Sequence, residues 1–124
     1  MTKLLLIGLG GALGSIARYL LGGWIQRGTI PIETLVINVT GCLAIGFLAT
    51  LFTGPSALRE EYRVAILVGV LGGYTTFSTF GFDTFKLINE HQYWYAALNV
   101  LLSNVLGLGA VWLGARLAEH WFGA

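Results

Sequence analysis

The chain has 124 residues, of which 56% are hydrophobic and only 10% charged, and its mean hydropathy is +0.76. A soluble domain carries roughly 25% charged residues, so the composition excludes one and points to a single compact membrane domain over residues 1–124. The net charge of +1 implies no polyanion partner, nucleic acid included. No His/Cys/carboxylate cluster, nucleotide-binding glycine motif or nucleophile paired with a base supports an enzyme.

Four segments approach the ~20 apolar residues that a bilayer requires. The first runs over residues 4–25, interrupted by Arg18. Its start looks like a signal peptide, but the apolar run continues to Ile25 and Arg18 follows the cleavage region. Gly10 and Gly14 form a Gly-x-x-x-Gly pair, repeated by Gly11 and Ser15, which favours close helix contact. A polar connection from Arg27 to Glu33 leads to the second span, residues 35–53, with Asn38 and Thr40 on entry. Cys42, the single cysteine, lies in this apolar run and reads as packing. Gly54-Pro55-Ser56 ends the span, and Arg59, Glu60, Glu61 and Arg63 read as a mixed-charge surface connection.

The third span, residues 64–82, carries no charge and holds Gly72-Gly73-Tyr74-Thr75-Thr76-Phe77-Ser78-Thr79-Phe80. Glycine weakens a helix, and Ser and Thr offer the backbone rival hydrogen bonds. In hydrocarbon such a break survives only where it is buried in protein or lines a watery cavity. The span is expected to be a membrane helix broken midway, with the break as its working part; a small-residue helix interface is the plainer alternative. Asp83, Lys86 and Glu90 follow in a helical extension or loop. The fourth span, residues 94–115, opens on the interfacial aromatics Tyr93, Trp94 and Tyr95. Asn99, Ser103 and Gly107 share one of its faces.

With four spans, Lys3, Arg59, Arg63 and Arg116 lie on one side of the membrane. Arg27 and Lys86 lie on the other, joined by Arg18 if it snorkels outward. Cytoplasmic excess of Lys and Arg normally sets orientation; here the sides are nearly balanced. A weak bias resolved by a partner fits, and so does insertion both ways up, which would permit an antiparallel two-fold dimer. The membrane interior offers uncharged donors: the amides of Asn38, Asn99 and Asn104, and the hydroxyls of Thr40, Ser78, Thr79 and Ser103. Taken singly, each reads equally well as interhelical glue. Asn38 stands out because its amide has two donors. Phe77 and Phe80 share a face if helix resumes after the break, and ring edges carry partial positive charge.

These motifs resemble the CrcB/Fluc family of small fluoride channels along essentially the whole chain. They are Gly10 to Tyr19, Thr34 to Asn38 with Gly41, the specific Gly72–Phe80 stretch, and Val100 to Ser103. The resemblance implies an all-α fold of four transmembrane helices, assembled as an antiparallel, dual-topology homodimer in the bacterial inner membrane. Two pores, each built from both subunits, would export fluoride passively. It makes Phe77 and Phe80 the paired pore phenylalanines and Asn38 the pore asparagine. Thr79 and Ser103, with Ser78 beside them, belong to a hydroxyl-bearing track. Asn99 stands where tyrosine is frequent, and Gly107 where some members have serine. The resemblance places Arg18 near the vestibules and a structural sodium ion at the dimer centre, held by the backbone carbonyls of Gly72 and Thr75.

The residue chemistry suits this small, strongly hydrated anion. Amides, hydroxyls and ring edges can replace its water without the tight grip of a Lys or Arg, and conduction needs sites that also release. The main rival is a small proton-coupled exporter of drug-like cations, which needs a carboxylate within the membrane; Glu33 and Asp83 sit only at span edges. The second rival is an assembly subunit whose polar residues are glue, which leaves the full motif set unexplained.

Overall fold

The computed structural model describes residues 1–25, 28–54 and 56–123. Arg27 and Pro55, used above for charge balance and for the end of the second span, lie outside the described residues. Among those described, the chain is helical throughout: α1 (Thr2–Trp24), α2 (Ile32–Thr53), α3 (Glu60–Val64), a π-helical stretch (Ala65–Val70), α4 (Leu71–Tyr74), α5 (Phe77–Asn89) and α6 (Tyr93–Phe122). α3 through α5 form one span, giving four candidate spans of 23, 22, 30 and 30 residues. At about 1.5 Å per residue each exceeds the ~30 Å of a hydrocarbon core. Four long apolar helices are present, as expected; Glu60 to Arg63 already belong to the third, and the fourth runs on past Ala115 to Phe122.

The third span breaks where its hydroxyls are, not at its paired glycines. Gly72 and Gly73 remain helical, and the extended residues are Thr75 (φ −84, ψ 156) and Thr76 (φ −150, ψ 114). The Thr75 hydroxyl donates to the Leu71 carbonyl at 2.9 Å, closing the last turn of α4. The Thr76 hydroxyl accepts from the Thr79 amide at 3.2 Å, an N-cap that starts α5. Upstream, the Leu71 amide reaches back to the Ile66 carbonyl, the wide turn of a π-helix. A 3.6-residue pattern gives no sign of it. At the far end His91 takes φ 59, while Gln92 N bonds Leu87 O at 2.8 Å and His91 N bonds Ile88 O at 3.0 Å. This Schellman closure turns the chain directly into α6.

Two helix pairs form the interior. α2 packs along α6, and α1 packs against the π-helical stretch and α4. Lys3 Nζ meets Glu60 Oε1 at 2.6 Å, and Phe47 lies edge-on to Trp121 and Phe122. The N-terminus, the start of the third span and the end of the fourth therefore share one side, as an even number of spans requires. Exposed ion pairs such as Lys3–Glu60 contribute only ~0–1 kcal/mol; close backbone approach through small residues does more. A methyl at Gly14 would overlap the Val70 carbonyl, one at Gly73 the Gly11 carbonyl at 2.5 Å, and one at Gly46 the Val111 carbonyl. The Gly10/Gly14 pair is buried at this contact, whereas Leu4, Leu9, Leu13 and Leu20 on the same helix point outward, as lipid-facing residues do.

Glycines at these crossings should tolerate no side chain. Gly46→Ala is expected to lower stability by ~1–3 kcal/mol through overpacking. Gly8→Ala, with nothing near its added methyl, should be neutral or slightly favourable through helix propensity. Thermal melts in detergent, followed by size exclusion, compare the two; equal behaviour would mean that α2 and α6 are not in backbone contact.

Candidate functional site

The break is held open by one amide. Asn38 on α2 accepts from the Thr76 backbone N–H through Oδ1 at 2.8 Å and donates through Nδ2 to the Thr76 carbonyl at 3.0 Å. A side-chain amide thus pairs with both backbone groups of one residue as a neighbouring strand would. α2 comes close enough because Gly41, one turn on, leaves room for the Thr75 methyl and the Tyr74 ring. Asn38 therefore has one of its two donors engaged, where the sequence alone shows a side chain with both.

These bonds decide which carbonyls are set free. In a continuous helix the Thr76 N–H would bond the Gly72 carbonyl and the Thr79 N–H the Thr75 carbonyl. The first goes to Asn38 and the second to the Thr76 hydroxyl. Gly72 and Thr75 are the residues expected to hold sodium, and released carbonyls at the end of a half-helix suit a hard cation. The Gly73 carbonyl is taken by Arg18 Nε at 3.2 Å. Arg18 thus turns inward onto the negative end of α4 instead of snorkelling outward, a favourable place for a cation.

Beyond the break, the rings of Phe77 and Phe80 lie 5.4 Å apart at 45°. Phe77 is 82% exposed. Asn38, Gly72, Thr75, Phe77, Phe80 and Ser103 converge on one cavity of about 370 Å³, which Asn104 also reaches. Thr79 opens instead onto a second cavity of about 590 Å³, with Thr34, Asp83 and Lys86. Thr79 and Ser103, joined in one track by the resemblance, thus face different spaces in a single chain. Ser78 is exposed, its hydroxyl 3.3 Å from that of Thr76. Gly107 is buried, with a position for Cβ 3.5 Å from Cys42 Sγ. Asn99 is buried and bonds Thr84 Oγ1 at 2.9 Å.

Three contributors escape the sequence reading. Thr76 caps α5 and receives Asn38. Thr34 donates to Asp83 Oδ2 at 2.8 Å, tying α2 to α5, and Asp83 also meets Lys86 Nζ at 3.5 Å. Thr84 links Asn99 to the Phe80 carbonyl. Only Thr76 left a signal, as a Thr three residues before Thr79 at a helix start.

The sequence matches the family described as CrcB-like protein, Camphor Resistance (CrcB), over residues 5–115. It is 50% identical over 121 residues to a protein of Solibacter usitatus named Fluoride-specific ion channel FluC, covering 95% of this chain and 99% of that one. A protein of the same name from Desulforapulum autotrophicum is 45% identical over 120 residues, covering 94% and 96%. Another, from Methylococcus capsulatus, is 51% identical over 122 residues, covering 95% of this chain and 53% of that longer protein.

Removing the Asn38 amide should destabilise the break. In Asn38→Ala the Thr76 N–H loses its partner, at roughly 1–3 kcal/mol for a group left buried and unpaired, while the Thr76 carbonyl keeps the first bond of α5 as an N-cap carbonyl does. Hydrogen exchange at Thr75 to Thr79 should accelerate strongly while α2 and α6 remain protected. Unchanged protection at the break would show that Asn38 does not hold it.

Proposed function

The chain belongs to the CrcB/FluC fluoride channel family, and on that premise we propose that it is a fluoride-specific channel carrying the ion past Asn38, Phe80 and Phe77. The single observation that carries this reading is the end-to-end match to a fluoride-specific ion channel at 50% identity. The site chemistry supports it. The 370 Å³ cavity presents an amide, hydroxyls and ring edges with no formal charge among its lining residues. Such groups can take the place of water around fluoride and still release it. The Asn38 amide retains a second N–H beyond the one given to Thr76. Ser103 lines the same cavity and Ser78 is exposed beside Phe77, while Thr79, which faces the other cavity, would supply a hydroxyl to the path from that side. Arg18, close to the break, would raise the local potential for an arriving anion.

The working unit we propose is an antiparallel homodimer in the bacterial inner membrane, with two pores each completed by the partner. Phe77 projects almost wholly out of the chain, and an outward polar break needs cover in hydrocarbon. A sodium ion at the dimer centre would be held by the Gly72 and Thr75 carbonyls, offsetting the partial negative charge gathered there. The balanced distribution of Lys and Arg suits insertion both ways up. The proton-coupled exporter is disfavoured because Asp83, on the helix that follows the break, is already engaged by Thr34 and Lys86.

Purified protein in liposomes should release fluoride, read by electrode, and retain chloride. Phe77→Ile and Phe80→Ile keep apolar bulk, so each should cost no more than ~1.5 kcal/mol of stability while abolishing most flux from protein that still assembles. Full efflux from both folded variants would place the path elsewhere. Dual orientation has its own assay. A single cysteine introduced at Ser56 in a Cys42→Ser background should label with an impermeant reagent from both faces, and labelling from one face alone would reject it.

A further inference from the structure

We infer that Asn99 is a positioning residue for the phenylalanine pair: its buried amide acts through the Thr84 hydroxyl to fix the turn of α5 that carries Phe80. This rests on the proposed fluoride path. Asn99 is 1% exposed and is the largest fully buried side chain, in an interior otherwise made mainly of glycine, alanine and single aliphatic residues. An amide buried without partners is costly, so its bonds account for its presence. It lines neither cavity, so it is not placed to donate to an ion.

Its Nδ2 donates to Thr84 Oγ1 at 2.9 Å, and Thr84 Oγ1 donates to the Phe80 carbonyl at 2.8 Å. A hydroxyl has one proton to give. Because Asn99 arrives as a donor, the Thr84 proton is left for the Phe80 carbonyl, one turn back. Bonds of this kind bend helices and free the carbonyl side of the turn. α5 has little else to set its rotation. Its only buried residue is Leu87, and it touches α6 and α2 far less than those two touch each other. Asn38 holds the residue before α5, and Thr34 holds Asp83 from the α2 side. Asn99 alone reaches the Phe80 turn from α6 through a side-chain hydrogen bond among the described residues.

The test uses the full chain in Thr84→Val, Asn99→Leu and Thr84→Ser forms, with para-fluorophenylalanine placed singly at Phe80 or, as control, at Phe47. Fluoride efflux per assembled protein is measured on unlabelled samples and ¹⁹F resonances on labelled ones. Thr84→Val keeps the volume and removes the hydroxyl; Thr84→Ser keeps the hydroxyl. We expect efflux to fall roughly tenfold to a hundredfold in Thr84→Val and Asn99→Leu, the scale of small misplacements in a reacting site. Thr84→Ser should stay near the original protein. The Phe80 resonance should move or broaden in the first two variants only, and the Phe47 resonance in none. If Asn99→Leu fails to assemble, Thr84→Val decides alone. Assembled variants that conduct normally overturn the inference, as does lost efflux with an unmoved Phe80 resonance, or a Thr84→Ser that fails as badly as Thr84→Val. An original protein that releases no fluoride refutes the channel reading instead, and the Phe80 resonance then decides whether Asn99 sets the ring.

Discussion

Backbone groups opened in the middle of the membrane cannot be left unpaired, and the pairing of Thr76 with Asn38 answers that constraint. A helix satisfies every backbone group internally, which is why helices cross bilayers. Opening one at Thr75–Thr76 strands several donors and acceptors where no lipid can bond them. The Asn38 amide takes the Thr76 N–H and also bonds its C=O, and the Thr76 hydroxyl takes the Thr79 N–H. The carbonyls of Gly72 and Thr75, whose helical donors are diverted in this way, lie on the α4 side, and the phenylalanines resume on the α5 side.

That arrangement depends on how closely the helices approach. Asn38 reaches Thr76 because Gly41 lets the broken segment lie against α2, and α4 is seated on α1 through the Gly11–Gly73 contact. Lipid tails are as apolar as leucine, so burial alone does not draw these helices together; small residues and polar bonds do. α5 is the clearest case. Leu87 is its only buried side chain, and among the described residues its side-chain hydrogen bonds to other helices are Asn38 to Thr76, Thr34 to Asp83, and Asn99 to Thr84. The element that carries Phe77 and Phe80 is therefore set by directional bonds, which specify an angle more sharply than packing of the same area.

Much of this is legible in the residue string. Span positions follow from unbroken apolar runs, and the contact of α1 with the third span follows from the spacing of Gly10 and Gly14. The existence of a break follows from hydroxyls beside glycines, but its position does not. Gly72 and Gly73 look like the weak point because of their intrinsic helix propensity, yet both stay helical; α1 packs on Gly73, whereas Gly72 faces open space. The break falls two residues later, where side-chain oxygens can replace the lost backbone partners. The π-helical stretch at Ala65–Val70 and the pairing of Thr34 with Asp83 are hidden for a different reason. Both depend on tertiary contacts between residues far apart in the chain, and no local pattern encodes them. Asn38 was visible as unusual, but its bond to the break is a property of two helices, not one.

The same constraint bears on what must cover the exposed side. Leu4, Leu9 and Leu13 on α1 are suited to lipid, but Phe77 stands out of the chain beside a break with freed carbonyls, and the Asn104 amide is exposed nearby. Polar backbone and amides do not face acyl chains. A second copy related by a two-fold axis would meet this face with the same face, adding donors and rings from both chains. It would also bring two sets of freed carbonyls together, and like partial charges in a low-dielectric interior repel strongly. A cation between them resolves that repulsion. In the proposed dimer, the partner would cover the break that Asn38 holds within one chain, and a cation would lie between the two sets of carbonyls.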